Sequence, residues 1–168
     1  MKNNHIFWTK VITSRATYYI MATEKGICWL GTHFEKGKAW VSSKIKSPDF
    51  IRNVNEPNLK QAENVLIHYI DGKHVENQLK FDLIGSSFQV AVWEEMLKVP
   101  YGGTESYLEV AKKINRPKAM RAVGAACGAN PVMILVPCHR IVGSNGSLTG
   151  YAGGLPTKEW LLSLEKHS

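Results

Sequence analysis

Two serines, Ser86 and Ser106, each stand three residues ahead of a side chain that can reach back to them, Gln89 and Glu109. In this capping-box spacing the serine oxygen accepts from a free amide of the first helical turn, while the Gln or Glu accepts from the serine's own amide. The two boxes fix where two helices begin, and the residues behind them fix where those helices end. Phe88, Val92 and Met96, flanked by Trp93 and Leu97, form one apolar stripe that stops at Pro100. Tyr101-Gly102-Gly103 is a loop, and behind Ser106 the positions Leu108, Ala111 and Ile114 face inward. Asn115-Arg116-Pro117 turns the chain, with Pro117 suited to open a third helix that runs to about Cys127 and ends near Gly128. Two short helices joined by a tight turn, with basic residues on the second, describe a helix-turn-helix. A closing helix is expected over Pro156 to Lys166, with Trp160, Leu161 and Leu164 inward.

The first half follows other periods. Ala16 to Met21 and Gly26 to Gly31 read as a two-stranded ribbon around the polar Thr23-Glu24-Lys25-Gly26. Leu59, Ala62, Leu66, Tyr69 and Ile70 recur at helical spacing until Asp71-Gly72 stops them. Gln78 to Leu83 is a strand or extended connector, and a boundary falls at Gly85-Ser86. The expected fold class is α+β: a small N-terminal α/β domain over 1–84, then a mainly helical C-terminal domain over 85–168.

With 44% hydrophobic and 21% charged residues the chain can bury a core, so wholesale disorder is excluded. No apolar run approaches the roughly 18 to 20 residues of a membrane helix, and Met1 to Lys10 lacks a signal-peptide layout. The expectation is a cytoplasmic protein with no membrane partner. Cys28, Cys127 and Cys138 cannot all pair within one chain and are read as free thiols. The histidines are scattered without zinc-ligand spacing, so neither metal nor cofactor is expected. The balance of 21 basic against 14 acidic residues, +7, favours a polyanionic partner. Between Ala111 and Arg140 stand Lys112, Lys113, Arg116, Lys118, Arg121 and Arg140, with no Asp or Glu. The third helix surrounds one long cation, Arg121, with Ala119, Ala122, Gly124, Ala125 and Ala126. Small residues allow close packing against a neighbouring helix, which leaves Arg121 itself unexplained.

Chemistry concentrates in Asn130 to Val142. Val132 to Val136 is continuously apolar and reads as a strand buried on both sides, delivering Pro137-Cys138-His139-Arg140 at its end. A thiol ordinarily titrates near 8.5, and a neighbouring imidazolium or guanidinium lowers that, so the setting points to a reactive thiolate. Adjacent residues of an extended chain face opposite ways, so His139 reaches Cys138 only through a turn or a bridging water. Glu165 is the nearest candidate carboxylate to orient the histidine.

Asn130-Pro131, the five apolar residues, Pro137-Cys138-His139-Arg140-Ile141, Gly150-Tyr151-Ala152-Gly153-Gly154 and Lys158-Glu159-Trp160-Leu161-Leu162 closely resemble the O6-alkylguanine-DNA alkyltransferases. The resemblance runs from Ser86 to Glu165; before Gly85 it implies only the family's outline, a ribonuclease-H-like domain. It implies that Cys138 is the alkyl acceptor, that His139 takes its proton through a water, and that Glu165 holds that histidine. It implies that Asn130 links the helix-turn-helix to the site, and that Arg121, with Ala122 beside it, enters duplex DNA from the minor groove in place of a flipped nucleotide. Tyr107 would crowd the target phosphate and help protonate the departing base, and Ile141, Tyr151 and Ala152 would line the pocket. The function implied is direct-reversal DNA repair by a monomer. The alkyl group passes irreversibly from O6-methylguanine in double-stranded DNA, with O4-methylthymine expected as a further substrate, to Cys138. Gly103 departs from the family's usual Glu, Cys127 has no family role, and Cys28 does not complete the zinc set of some relatives.

Three other readings compete. A protein that flags alkylated bases without transfer lacks the acceptor cysteine, a major-groove regulator reads bases with polar side chains rather than Ala and Gly, and a Cys138–His139 hydrolase turns over.

Overall fold

A computed structural model describes residues 3–167 and divides the chain into two compact units, Met1–Ile84 and Gly85–Ser168. The expected ribbon is present as β2 (Thr17–Thr23) and β3 (Gly26–Gly31), and it belongs to a larger sheet. β1 (His5–Ile12) pairs antiparallel with β2, and β4 (Asp49–Arg52) runs parallel to β1, giving the order β3-β2-β1-β4. α1 (Phe34–Lys44) makes the crossover to β4, and α2 (Pro57–Ile70) buries Leu59, Ala62, Val65, Leu66, Tyr69 and Ile70 against the sheet. The connector after α2 touches the sheet through one parallel bridge, Ile27 to Phe81. Gly26 makes that approach possible, because a Cβ there would stand 2.4 Å from the Lys80 carbonyl oxygen.

In the second unit both capping boxes close. The Gln89 amide donates to Ser86 Oγ at 3.1 Å, and Ser86 N–H donates to Gln89 Oε1 at 3.0 Å, opening α3 (Ser87–Leu97). The Glu109 amide donates to Ser106 Oγ at 3.0 Å, and Ser106 N–H donates to Glu109 Oε2 at 2.7 Å, opening α4 (Tyr107–Lys113). The next helix, α5, covers Met120–Gly128, so it does not begin at Pro117. The reason is a Schellman close to α4: Asn115 sits at φ +60°, its amide donates to Lys112 O, and the Arg116 amide donates to Ala111 O. A further turn, Ala119 N–H to Arg116 O, intervenes before the helix can start. α5 packs on both α3 and α4, and Trp93 Nε1 donates to the Ala126 carbonyl at 2.8 Å. α6 (Leu155–Lys166) is the closing helix.

The apolar run Val132–Val136, expected as a buried strand, is a turn. Ile134 occupies φ +69°, a region costly for a β-branched residue, and the Val136 amide bonds back to Val132 O. Asn130 overrides the apolar pattern: its Nδ2 donates to Val136 O at 2.7 Å and its Oδ1 accepts from the Val132 amide at 3.0 Å. One side chain thus closes the turn from both ends and supplies the hydrogen bonds a strand would have found in a neighbour. Among the described residues no helix is long and apolar enough to cross a membrane, and no three His, Cys, Asp or Glu side chains gather as a metal site requires.

Candidate active site

The turn held by Asn130 hands the chain to a single 3-10 turn, Cys138–Arg140, which leads into β6 (Ile141–Val142). β6 pairs with β5 (Glu105–Ser106), so the segment just after the cysteine is tied to the start of α4. Cys138 is 7% exposed and opens on a cavity of about 490 Å3. Tyr107, Arg121, Cys127, Gly150 and Tyr151 line the same cavity, as does Met120, an exposed apolar side chain at the start of α5.

Behind the cysteine lies a buried charge cluster. His139, fully buried, is bonded through Nε2 to Glu165 Oε1 at 2.7 Å. Arg140 grips the same carboxylate, Nε donating to both oxygens at 3.0 and 3.1 Å and Nη2 donating to Oε1 at 2.9 Å. Arg140 Nη1 donates to the Val99 carbonyl, and the Gly102 amide donates to Glu165 Oε2 at 3.1 Å. Burial pushes the Glu165 carboxyl up, but the His139 and Arg140 hydrogen bonds and charges outweigh it and hold the group at about 2. Ionised Glu165 only accepts, so the proton on the His139 ring sits on Nε2 and Nδ1 is the basic nitrogen. Burial pushes His139 below its ordinary value despite the carboxylate, which keeps the imidazole neutral and able to take a proton.

Cys138 differs from the sequence-based expectation. Burial raises its pKa, and the groups that draw it back are the Asn130 side chain, the Lys158 charge, its own backbone and Tyr151. His139 and Arg140 are both engaged by Glu165. At rest the group is a thiol beside a neutral base, not a standing thiolate.

Lys158 is the residue that sequence reading passed over. It lies one turn into α6, fully buried, with Nζ donating to Ile141 O at 2.6 Å, to Thr149 O at 3.1 Å, and at 3.4 Å to Gly150 O and Tyr107 Oη. Tyr107 Oη itself donates to Thr149 O at 2.8 Å. One ammonium therefore ties the cavity loop at 149–150, the strand after Cys138 and the Tyr107 phenol together. A buried lysine survives only with such partners, and the sequence signal for it was a cation in the apolar register of an amphipathic helix.

The other expected site residues fall in two groups. Tyr107, Cys138 and Tyr151 line the cavity, His139 and Glu165 form the charge cluster behind it, and Asn130 holds the turn that leads to Cys138. Arg121 is exposed at the cavity wall and Ala122 is exposed beside it on α5. Ile141 is fully buried and joins the site through the carbonyl that Lys158 holds, while Ala152 is exposed in the turn before α6.

The arrangement sets a buried thiol at a cavity wall with an imidazole and a carboxylate bonded behind it, a setting suited to nucleophilic attack on a small electrophile. Residues 87–167 match the family model described as 6-O-methylguanine DNA methyltransferase, DNA binding domain. The inducible methylated-DNA–protein-cysteine methyltransferase of Bacillus subtilis (strain 168) is 39% identical over 166 residues, 97% of this chain and 92% of that protein. A protein of the same name from Methanosarcina acetivorans is 44% identical over 142 residues, 84% of this chain and 86% of that protein. The crystal structure of the Mycobacterium tuberculosis O6-methylguanine methyltransferase superposes with a TM-score of 0.77 at 33% identity, covering 96% of this chain and 93% of that one. That of Mycobacterium tuberculosis OGT in complex with DNA gives 0.75 at 35%, covering 96% and 92%. The chain belongs to the O6-methylguanine-DNA methyltransferase family, the methylated-DNA–protein-cysteine methyltransferases.

Proposed function

We infer that this protein repairs DNA by moving the alkyl group of O6-methylguanine onto its own Cys138, once per molecule. The observation that carries the reading is a buried thiol at a cavity wall, with a neutral imidazole and an ionised carboxylate fixed behind it. His139 Nδ1 takes the Cys138 proton through a water. The sulfur attacks the alkyl carbon in line, the C–O6 bond breaks, and its electron pair leaves with the base. The Tyr107 phenol gives the departing guanine a proton and recovers one from solvent. The Lys158 ammonium, 3.4 Å from the Tyr107 oxygen, stabilises the phenolate in between. The product is a thioether, which offers no easy leaving group, so the acceptor is not regenerated.

A sulfur this buried cannot meet a stacked base, so the alkylated nucleotide leaves the duplex. Flipping costs a few kcal/mol, least for a weakly paired base. Arg121, exposed at the cavity wall, fills the vacated place from the minor groove, with Ala122 allowing close approach. α4 and α5 act as a helix-turn-helix whose basic residues from Lys112 to Arg121 hold phosphates. Tyr151, Ile141 and Ala152 shape the base pocket. The strand order β3-β2-β1-β4 with its single helical crossover supports a ribonuclease-H-like reading of residues 1–84, with 85–168 as the transferase domain. The protein works as a cytoplasmic monomer, with O4-methylthymine as a second substrate.

The test mixes the protein with a duplex carrying one O6-methylguanine and maps methylation by mass spectrometry. One methyl on the Cys138 peptide, none on Cys28 or Cys127, is the expected outcome. Tight binding with every cysteine unmodified would transfer the protein to the damage-flagging class.

A further inference from the structure

The sheet of the first unit has a face to which alkyl transfer gives no role. Strand alternation and register place Ile6, Trp8 and Lys10 of β1 on it, with Tyr19 of β2 and Phe50 and Arg52 of β4 beside them. α1 packs across β2 and β3, so the β1–β4 half is roofed only in part. There Trp8, Tyr19, Phe34 and Phe50 form a half-buried aromatic cluster, Phe34 standing 4.3 Å from Trp8 and 5.5 Å from Tyr19 between ring centroids. Cations sit over these rings: Arg52 Cζ is 5.5 Å from the Trp8 centroid, and Lys38 Nζ is 5.6 Å from both Phe34 and Phe50. Lys10 is exposed beside Tyr19.

Cations outnumber carboxylates on this face, where the connector's Asp82 is held at the β2 end by Thr23 Oγ1 at 2.6 Å. No Asp or Glu occupies its β1, β2 or β4 positions, and Asp49 of β4 pairs on the opposite side with His5 at 3.6 Å. α1 adds one exposed carboxylate, Glu35, against Lys36, Lys38 and Lys44. Rings interleaved with cations suit a ligand that offers flat π-faces and regular negative charge together. Unpaired nucleic acid is such a ligand, whereas a duplex hides its base faces and would engage the cations alone.

We propose that this face of the first unit binds single-stranded nucleic acid, bases stacking on Trp8 and Tyr19 and phosphates pairing with Lys10, Lys38 and Arg52. The surface lies outside residues 87–167 and is independent of transfer chemistry.

The full-length protein carrying Arg121→Ala, which weakens the second unit's DNA contacts, is titrated into an undamaged fluorescein-labelled thymidine oligonucleotide and followed by anisotropy. Adding Lys38→Gln and Arg52→Gln weakens binding at least about tenfold and lowers the logarithmic salt slope by about 1.4, two phosphates at about 0.7 each. Ultraviolet cross-linking places the nucleotide on the peptide that contains Trp8. In the protein with Arg121 intact, the same two substitutions leave the transfer rate from a free O6-alkylguanine base unchanged, which separates loss of this surface from failure of the alkyl-transfer reading. Unchanged affinity and slope, cross-links confined to 85–168, or equal binding of a polyglutamate of matched charge would overturn the proposal.

Discussion

Cys28 and Cys138 are both buried thiols, one in each unit, and they differ in everything except burial. Cys28 sits in the sheet core among Ile6, Met21, Trp29 and Val41, its thiol donating weakly to the Met21 carbonyl. Burial, with Asp82 adding to it, pushes Cys28 up to about 12. Cys138 is raised by burial too, but Asn130, Lys158 and Tyr151 pull against it, and a cavity reaches its sulfur. Burial alone silences a thiol; burial with converging polar groups stores reactivity that a bound substrate releases. Cys127 tests this contrast, since it lines the same cavity as Cys138 yet is pushed up to about 12, its sulfur 3.5 Å from that of Met96.

The sharpest break is substitution at each thiol. Cys138→Ser abolishes methyl uptake altogether. Cys28→Ser leaves uptake intact and costs about 1 kcal/mol of stability, because a hydroxyl there can still donate to Met21 O. Methylated peptide per mole of protein and urea unfolding read the two effects separately.

Next in size is Glu165→Gln. It removes the charge that fixes His139 and gathers Arg140, so transfer falls by about 10²–10⁴. The effect on acid stability follows from Glu165 lying at about 2 when folded against an ordinary 4.5. A carboxyl depressed in the folded state binds fewer protons there than in the unfolded chain. Its contribution is whole above about 4.5 and drains away as pH falls towards 2. Wild-type protein therefore loses stability across that window, and Glu165→Gln, already weakened at neutral pH, loses less. Parallel acid-side slopes in denaturation from pH 5 to pH 2 would contradict this.

How much of this was legible in the chain depended on whether the signal was local. Both helix starts at Ser86 and Ser106 were readable because a capping box lies within four residues. α1 was not, because Gly37 interrupts it. Only the fold explains that glycine, since a Cβ there would stand 2.7 Å from Met21 and Trp29 side-chain atoms. The run 132–136 reads as a strand from its apolar pattern, yet one Asn bonding both ends makes it a turn. At the site, Cys138, His139 and Glu165 were nameable from motif resemblance, but the direction of the Cys138 shift was not. Arg140, two residues from the thiol in sequence, is held instead by Glu165 from the closing helix.

Lys158→Met is the third test. It removes the buried cation that favours the Cys138 thiolate and steadies Tyr107, while keeping an unbranched side chain of similar length. Transfer slows by up to about 10², and the rise of rate with pH moves to a more alkaline position. A slower reaction with an unmoved profile would mean that Lys158 only packs the loop at 149–150.

The smallest effects separate two turns that share an unusual backbone. Ile134 and Asn115 both hold positive φ without being glycine. Ile134 is 3% exposed, so Ile134→Gly relieves strain of about 1–3 kcal/mol but forfeits an aliphatic core contact of about 2–5 kcal/mol. The balance is a net loss of about 2 kcal/mol. Asn115 is exposed at the end of α4, and Asn115→Gly frees the backbone without giving up buried surface. That variant gains about 0.5 kcal/mol in urea unfolding. Opposite signs mean that the turn before Cys138 holds its strain because Ile134 is needed inside, whereas two gains would make that strain a dispensable cost of presenting the cysteine.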